Sequence, residues 1–307
     1  MTMEARNNKV LVVLTKYMRL DDVIMWMAIS FIGFILGTTS FTLEAMILPF
    51  CVFVIATFFS MSFIFAINNY YDADSDRLNP RRRHKNALAS GDISKTGAMA
   101  INMLCIGIAL VLLAWYKPLA FVVAVLLFIW SVTYSLPPIR IKGRPGLDVI
   151  WHFFGFLYIV VLGALIAGSL SQLTWLMAVS LGVFSCIGQL GNHYSDYEFD
   201  KESGTQTFTV RYGLDTTKKT IEAILAIHLI ILLLLFVLYS SHYLITVLFV
   251  VVCLVLGFVL LRPTKAGFPT RKSYEFYLTT VVGGIVYVSV LLFHVLTMMG
   301  LNLYSLY

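Results

Sequence analysis

The sequence predicts an all-α membrane protein with nine transmembrane helices, and three observations carry that prediction. The first is composition: of 307 residues, 59% are apolar and 12% are charged, about half the charge of a soluble domain. That balance excludes a disordered chain, a soluble nucleic-acid-binding domain and an ordinary cytosolic enzyme fold. The second is nine apolar runs near the ~20 residues that a helix needs to cross a bilayer, at 23–40, 45–69, 97–116, 119–136, 149–168, 172–194, 220–239, 242–261 and 275–298. The third is the alternation between them. The connections at 71–96, 137–148, 195–219 and 262–274 are long and charged, and those at 41–44, 117–118, 169–171 and 240–242 are very short.

The charges orient these elements. The N-terminal segment 1–22 carries Arg6, Lys9, Lys16 and Arg19, and it lacks the apolar core of a cleavable signal. Of 22 Lys and Arg, only Lys117 falls in a short connection. The positive-inside rule therefore places the N-terminus and the long loops in the cytoplasm and the uncharged C-terminal end on the far side. Cys51, Cys105, Cys186 and Cys253 lie apart within apolar runs and read as small hydrophobes.

The second helix runs out through Asn68-Asn69-Tyr70-Tyr71-Asp72-Ala73-Asp74-Ser75-Asp76, and the sixth through Asn192-His193-Tyr194-Ser195-Asp196-Tyr197-Glu198-Phe199-Asp200. Asn68, Tyr70, Asp72, Asp74 and Asp76 match Asn192, Tyr194, Asp196, Glu198 and Asp200, each 124 positions further on, as 192 is from 68. Four helices fit in that interval. The simplest account is one polytopic domain over 1–307 made of two four-helix repeats, about 23–148 and 149–261, plus a ninth helix at 275–298.

Residues at i, i+4 and i+8 share one helical stripe. Stacked acids at a helix C-terminus repel one another and the helix dipole, so Asn68, Asp72 and Asp76 call for a cation. All-oxygen ligands suit Mg²⁺, which keeps waters and takes one or two carboxylates plus substrate phosphate oxygens. The stripes thus point to a metal-bridged phosphate or diphosphate. Asp74 and Glu198 fall off the stripe and read as solvated surface groups; His193, also off it, reads as a hydrogen-bonded packing residue.

Cations for the remaining phosphate charge lie at helix ends: Arg19 before the first span, Arg140 and Lys142 after Tyr134-Ser135-Leu136-Pro137-Pro138, and Lys201 and Arg211 beside the second acidic motif. Topology and anionic lipid account for much of the Arg81–Lys85 cluster.

These residues carry a resemblance. Asn68-Asn69-x-x-Asp72-x-x-x-Asp76 resembles the NDxxDxxxD motif of the UbiA superfamily of intramembrane prenyltransferases, and Asp196-x-x-x-Asp200-x-x-x-Gly204 its DxxxDxxxG motif. Asn79-Pro80 through Ser90-Gly91-Asp92-Ile93-Ser94, Tyr134 through Lys142 and Val210-Arg211-Tyr212-Gly213 resemble further family segments, so the similarity spans essentially the whole chain. One departure is Asn69, where the family usually has Asp.

The resemblance implies a Mg²⁺-dependent prenyl transfer at the cytoplasmic side. Two ions would be held by Asn68 and Asp72 and by Asp196 and Asp200, with Asp76 binding through water or positioning the acceptor. Arg19, Tyr134, Arg140, Lys142 and Lys201 would hold the diphosphate. The partners would be an isoprenyl diphosphate, an unidentified lipophilic or aromatic acceptor and membrane lipids, with no nucleic acid. The run Asp196-Tyr197-Glu198-Phe199-Asp200-Lys201 is similar to archaeal carotenoid elongases. Two alternatives share these features: a terpene cyclase of the same family, and a carrier of anionic lipids or ions, against which stands the clustering of the acids at one face.

Overall fold

Hydrophobic runs become helices here because a bilayer satisfies no backbone group, so each crossing segment must satisfy its own. The computed structural model describes residues 9–239 and 274–300, and among them there is no strand. Eight long helices follow in order: α1 (Leu20–Gly37), α2 (Leu43–Leu78), α3 (Lys95–Tyr116), α4 (Pro118–Ser135), α5 (Leu147–Ala167), α6 (Gln172–Ser195), α7 (Leu214–Tyr239) and α8 (Tyr274–Met298). All eight are long and apolar enough to cross a membrane, so the chain is an all-α, multi-pass membrane protein. They match eight of the nine expected spans, and the remaining one, 242–261, lies outside the described residues.

Helix starts and stops follow local chemistry. Thr42 and Ser94 cap α2 and α3 through their hydroxyl oxygens, and Ser171 forms a reciprocal capping box with Thr174 at the start of α6. Pro118 opens α4, where its missing N–H costs nothing. Pro137-Pro138 follows the end of α4 at Ser135, as a ring that cannot continue a helix requires.

The chain divides into two compact units. The first comprises 1–38, 42–141 and 158–169; α2 is its centre and packs on α1, α3 and α4. At 36 residues, α2 is about 54 Å long, well beyond a ~30 Å hydrocarbon core. Its last turns therefore carry the acidic stripe out of the apolar layer. In the same unit α1 meets the second half of α5 through small residues. A Cβ on Gly33 would stand 1.9 Å from the Val160 carbonyl oxygen, and one on Gly163 2.0 Å from that of Ser30. Ser30 Oγ donates to the Ile159 carbonyl at 2.7 Å. Only glycine permits this approach, which is how helices associate where lipid removes the hydrophobic drive.

The second unit comprises 39–41, 142–157 and 170–307. There α6 packs on α7 and α8, and Val149, Cys186, Ile187, Leu190 and Ile221 form a core between the start of α5, α6 and α7.

Candidate active site

In the first unit, the continuous helix α2 holds Asn68, Asp72 and Asp76 on one stripe, all half-buried. Neighbours fix two of them. Ser135, the last residue of α4, donates its hydroxyl to Asn68 Oδ1 at 2.5 Å. Asn86 Nδ2 donates to Asp76 Oδ2 at 3.0 Å and to the Asn69 carbonyl at 2.8 Å. The Asn86 side-chain oxygen also caps the short helix Ala87–Ser90, so this buried amide ties the loop to the stripe. Neither Ser135 nor Asn86 is evident as a site residue from sequence, because each acts through a partner that the fold supplies.

Asn69 has a role that an aspartate could not fill. It is 7% exposed, and its Nδ2 donates to the carbonyls of Lys16 and Tyr17 at 3.1 and 2.8 Å. These carbonyls end a π-helical turn, Val13–Tyr17. A carboxylate has no proton to give them. The turn is held elsewhere too: Tyr17 is buried and its hydroxyl donates to the Ala98 carbonyl at 3.2 Å, and burial pushes its pKa well above the ordinary phenol value. Lys16 pairs with Asp92 at 3.0 Å.

What this clamp presents is Arg19, two residues further on, in the left-handed conformation with φ 58°. Its guanidinium pairs with Asp22 at 2.6 Å and lies 4.9 Å from the centre of the Phe65 ring. Phe65 and Asp72 are seven residues apart on α2, hence on the same face. Arg19 thus stands at the foot of the carboxylate stripe. Tyr134 is half-buried near the end of α4, and Arg140 is exposed with φ 35°. Asp74 is fully out in solvent with Arg77 at 3.9 Å, in keeping with its off-stripe position.

In the second unit the acidic stripe is interrupted. Helix α6 ends at Ser195, Asp196 takes φ −97° and ψ 7°, and a new helix runs Tyr197–Glu202. The i to i−4 backbone bonds Asp196 to Asn192 and Asp200 to Asp196 survive at 2.9 and 2.8 Å. The break therefore bends the stripe without dissolving it. Asp196 is exposed and Asp200 is buried at 5%. Gly204, at φ 71°, turns the chain so that Thr205 N–H reaches the Asp200 carbonyl at 2.8 Å. Lys201 is exposed, with its ammonium 5.7 Å from the Tyr197 ring, and Lys142 is half-buried in the turn Ile141–Gly143. Glu198 is exposed. His193 is buried and hydrogen-bonded, as its off-stripe position suggested.

Among the described residues, no three His, Cys, Asp or Glu side chains converge as a ready metal cage. Each unit instead offers a short run of oxygen donors. That donor set fits Mg²⁺, which completes its shell with water and phosphate oxygens. A lipid-facing groove of about 630 Å³ between α2 and α3, lined by residues such as Ile55, Met103 and Trp115, contains none of these groups.

The long apolar helices thus form a helical membrane domain with acidic runs and an arginine near helix ends. Comparison with known proteins gives the family. Residues 24–279 match the model of the UbiA prenyltransferase family, and the chain belongs to that family. It is 31% identical over 163 residues to a lycopene elongase/hydratase of Haloarcula japonica, covering 50% of this chain and 51% of that one. It is 30% identical over 156 residues to the lycopene elongase/hydratase of Haloferax volcanii, covering 49% and 48%. The aligned part thus spans about half the length of these relatives. A UbiA homologue from Archaeoglobus fulgidus bound to GPP and Mg²⁺ superposes with a TM-score of 0.68 at 22% identity, over 93% of this chain and 99% of the other.

Proposed function

We propose that this protein ionises an isoprenyl diphosphate with two Mg²⁺ ions and transfers the prenyl group to a long lipophilic acceptor of the carotenoid type. The observation that carries the first part is the pair of oxygen-ligand motifs: Asn68 and Asp72 on α2, Asp196 at the end of α6 and Asp200 in the short helix that follows it. These four residues would hold the metal, whose positive charge stabilises the departing diphosphate. Arg19 stands beside the stripe and takes phosphate charge, with Tyr134, Arg140, Lys142 and Lys201 as further ligands. Ser135 and Asn86 hold Asn68 and Asp76 in place. Asp76 positions the acceptor or binds metal through water. The apolar helices keep water from the allylic cation. The distribution of Lys and Arg supports a cytoplasmic site. The carotenoid reading is supported by the two haloarchaeal relatives and by the sequence from Asp196 to Lys201.

The test uses purified protein in nanodiscs with Mg²⁺ and dimethylallyl, geranyl or geranylgeranyl diphosphate, with and without lycopene and with an EDTA control. A Mg²⁺-dependent prenylated lycopene, identified by mass spectrometry, is the expected product. A cyclic product without acceptor refutes the transfer reading and shows a cyclase, whose nucleophile is the donor's own double bond. Diphosphate that is never released, whatever the acceptor, refutes both.

A further inference from the structure

Prenyl transfer releases a proton, which a group near the acceptor must take. The allylic C–O bond breaks with its electron pair leaving on diphosphate. A π bond of the acceptor then forms the new C–C bond, which leaves the acceptor positively charged until it loses a C–H proton. In the proposed site Asp72, Asp196 and Asp200 would hold metal, and the Arg and Lys side chains are already protonated.

The second unit contains a buried group with the required chemistry. Asp148, at the start of α5, is 2% exposed, and His193, on the last turn of α6, is 6% exposed. His193 Nε2 lies 2.9 Å from Asp148 Oδ2. Gln189, one turn earlier on α6, donates Nε2–H to the same carboxylate oxygen at 3.2 Å, with its nitrogen 3.0 Å from His193 Nε2. His152, also on α5, bonds through Nδ1 to the Asp148 carbonyl at 2.8 Å and steadies that turn. Yet Asp148 Oδ1 and His193 Nδ1 are both buried with no hydrogen-bond partner among the described residues. Native interiors seldom leave polar atoms so, and such exceptions call for a functional account.

The proton count supplies one. With the Nε2–H directed at Asp148, the lone pair of the neutral ring is on Nδ1, and the carboxylate behind the ring stabilises the imidazolium that protonation would create. This is the division of labour in which a carboxylate orients a histidine base. Position agrees. His193 is three residues before Asp196, about 60° round the helix and about 4.5 Å along it toward the membrane interior. A base there would lie on the membrane side of the Asp196 motif, where the proposed acceptor would sit.

Resting on the prenyl-transfer reading, we propose that His193, oriented by Asp148 and Gln189, takes through Nδ1 the proton that the acceptor loses as the new bond forms. His193 is then the general base, and Asp148 and Gln189 are positioning residues.

The test compares wild type with His193→Gln, His193→Ala and Asp148→Asn, using dimethylallyl diphosphate, Mg²⁺ and lycopene in nanodiscs. Diphosphate release, prenylated product and prenyl alcohol are measured together, beside the thermal unfolding midpoint. For His193→Gln the expected result is an unchanged donor KM and a 10²-fold or greater fall in prenylated product. Diphosphate release should fall less, because the cation drains to prenyl alcohol. Added imidazole should restore product in His193→Ala, a rescue that a packing role would not give. Asp148→Asn should lose at least tenfold in product with donor KM unchanged. The proposal is overturned if folded His193→Gln keeps its yield of product per diphosphate released. It is overturned equally if all three variants lose donor binding and stability together and imidazole rescues nothing. Those results leave the prenyltransferase reading intact, whereas a wild type that never releases diphosphate overturns both.

Discussion

Asn69→Asp restores the residue that the family motif usually carries, and it should damage this protein. The two side chains have the same shape, so the substitution changes only a donor into an acceptor. Asn69 gives hydrogen bonds to the Lys16 and Tyr17 carbonyls at 3.1 and 2.8 Å from a site that is 7% exposed. Each buried carbonyl left without its donor costs about 1–3 kcal/mol, hence about 2–6 kcal/mol for both. A protonated carboxyl regains one bond, which brings the loss to about 1–3 kcal/mol at low pH. The same requirement raises the folded-state pKa of the new carboxyl above its unfolded value. Its relative contribution is therefore best below the unfolded value near 3.9 and is lost as pH rises through the folded one, so the defect should deepen from pH 5 to pH 8. The assay is the thermal unfolding midpoint in detergent, together with hydrogen exchange of residues 13–19. A fall of about 5–10 °C at pH 8, with faster exchange in that segment and a higher donor KM through displacement of Arg19, is expected. A variant as stable and as protected as wild type at pH 8 would refute the account of Asn69 as the clamp on this turn.

Other perturbations probe the remaining links. Asp72→Ala or Asp196→Ala should cut Mg²⁺-dependent turnover to below a few per cent while the unfolding midpoint holds, and greater residual activity in either would count against the metal assignment. Arg140→Ala and Lys142→Ala should each raise donor KM, and steady-state kinetics showing both unchanged would remove them from the diphosphate site. Gly33→Leu must push its side chain into the Val160 backbone, which a Cβ alone already meets at 1.9 Å; loss of folded yield by size-exclusion chromatography is expected, against little change for Gly107→Leu on open surface. Hydrogen bonds from Ser90 and Lys16 hold the Asp92 carboxyl below its ordinary value. Its contribution is therefore complete above the unfolded value near 3.9 and is lost as pH falls through the folded one. Exchange protection of residues 13–17 should be flat from pH 5 to 8 and weaken below about pH 4, modestly because the pair is exposed.

Sequence by itself determined the membrane class, the helices and the residues of the acidic motifs. The reason is physical: a span is a local requirement, since each apolar run must satisfy its own backbone in lipid, and a helical stripe is a local periodicity. The first stripe follows that periodicity through Asp76. The second bends at Asp196, where the backbone leaves helical angles, and repeat logic gave no sign of it because matching residue types do not specify φ and ψ. The partners that make the motifs work were beyond the sequence altogether. Asn69 meets residues more than 50 positions away, Asn68 meets Ser135 at a separation of 67, and Asp148 meets Gln189 at 41. The donors, acceptors and glycine contacts involved are common residue types with no distinguishing local pattern. Only the packing of one helix against another selects which of them meet, and that selection decides whether an asparagine is a motif defect or a clamp, and which groups face a buried histidine.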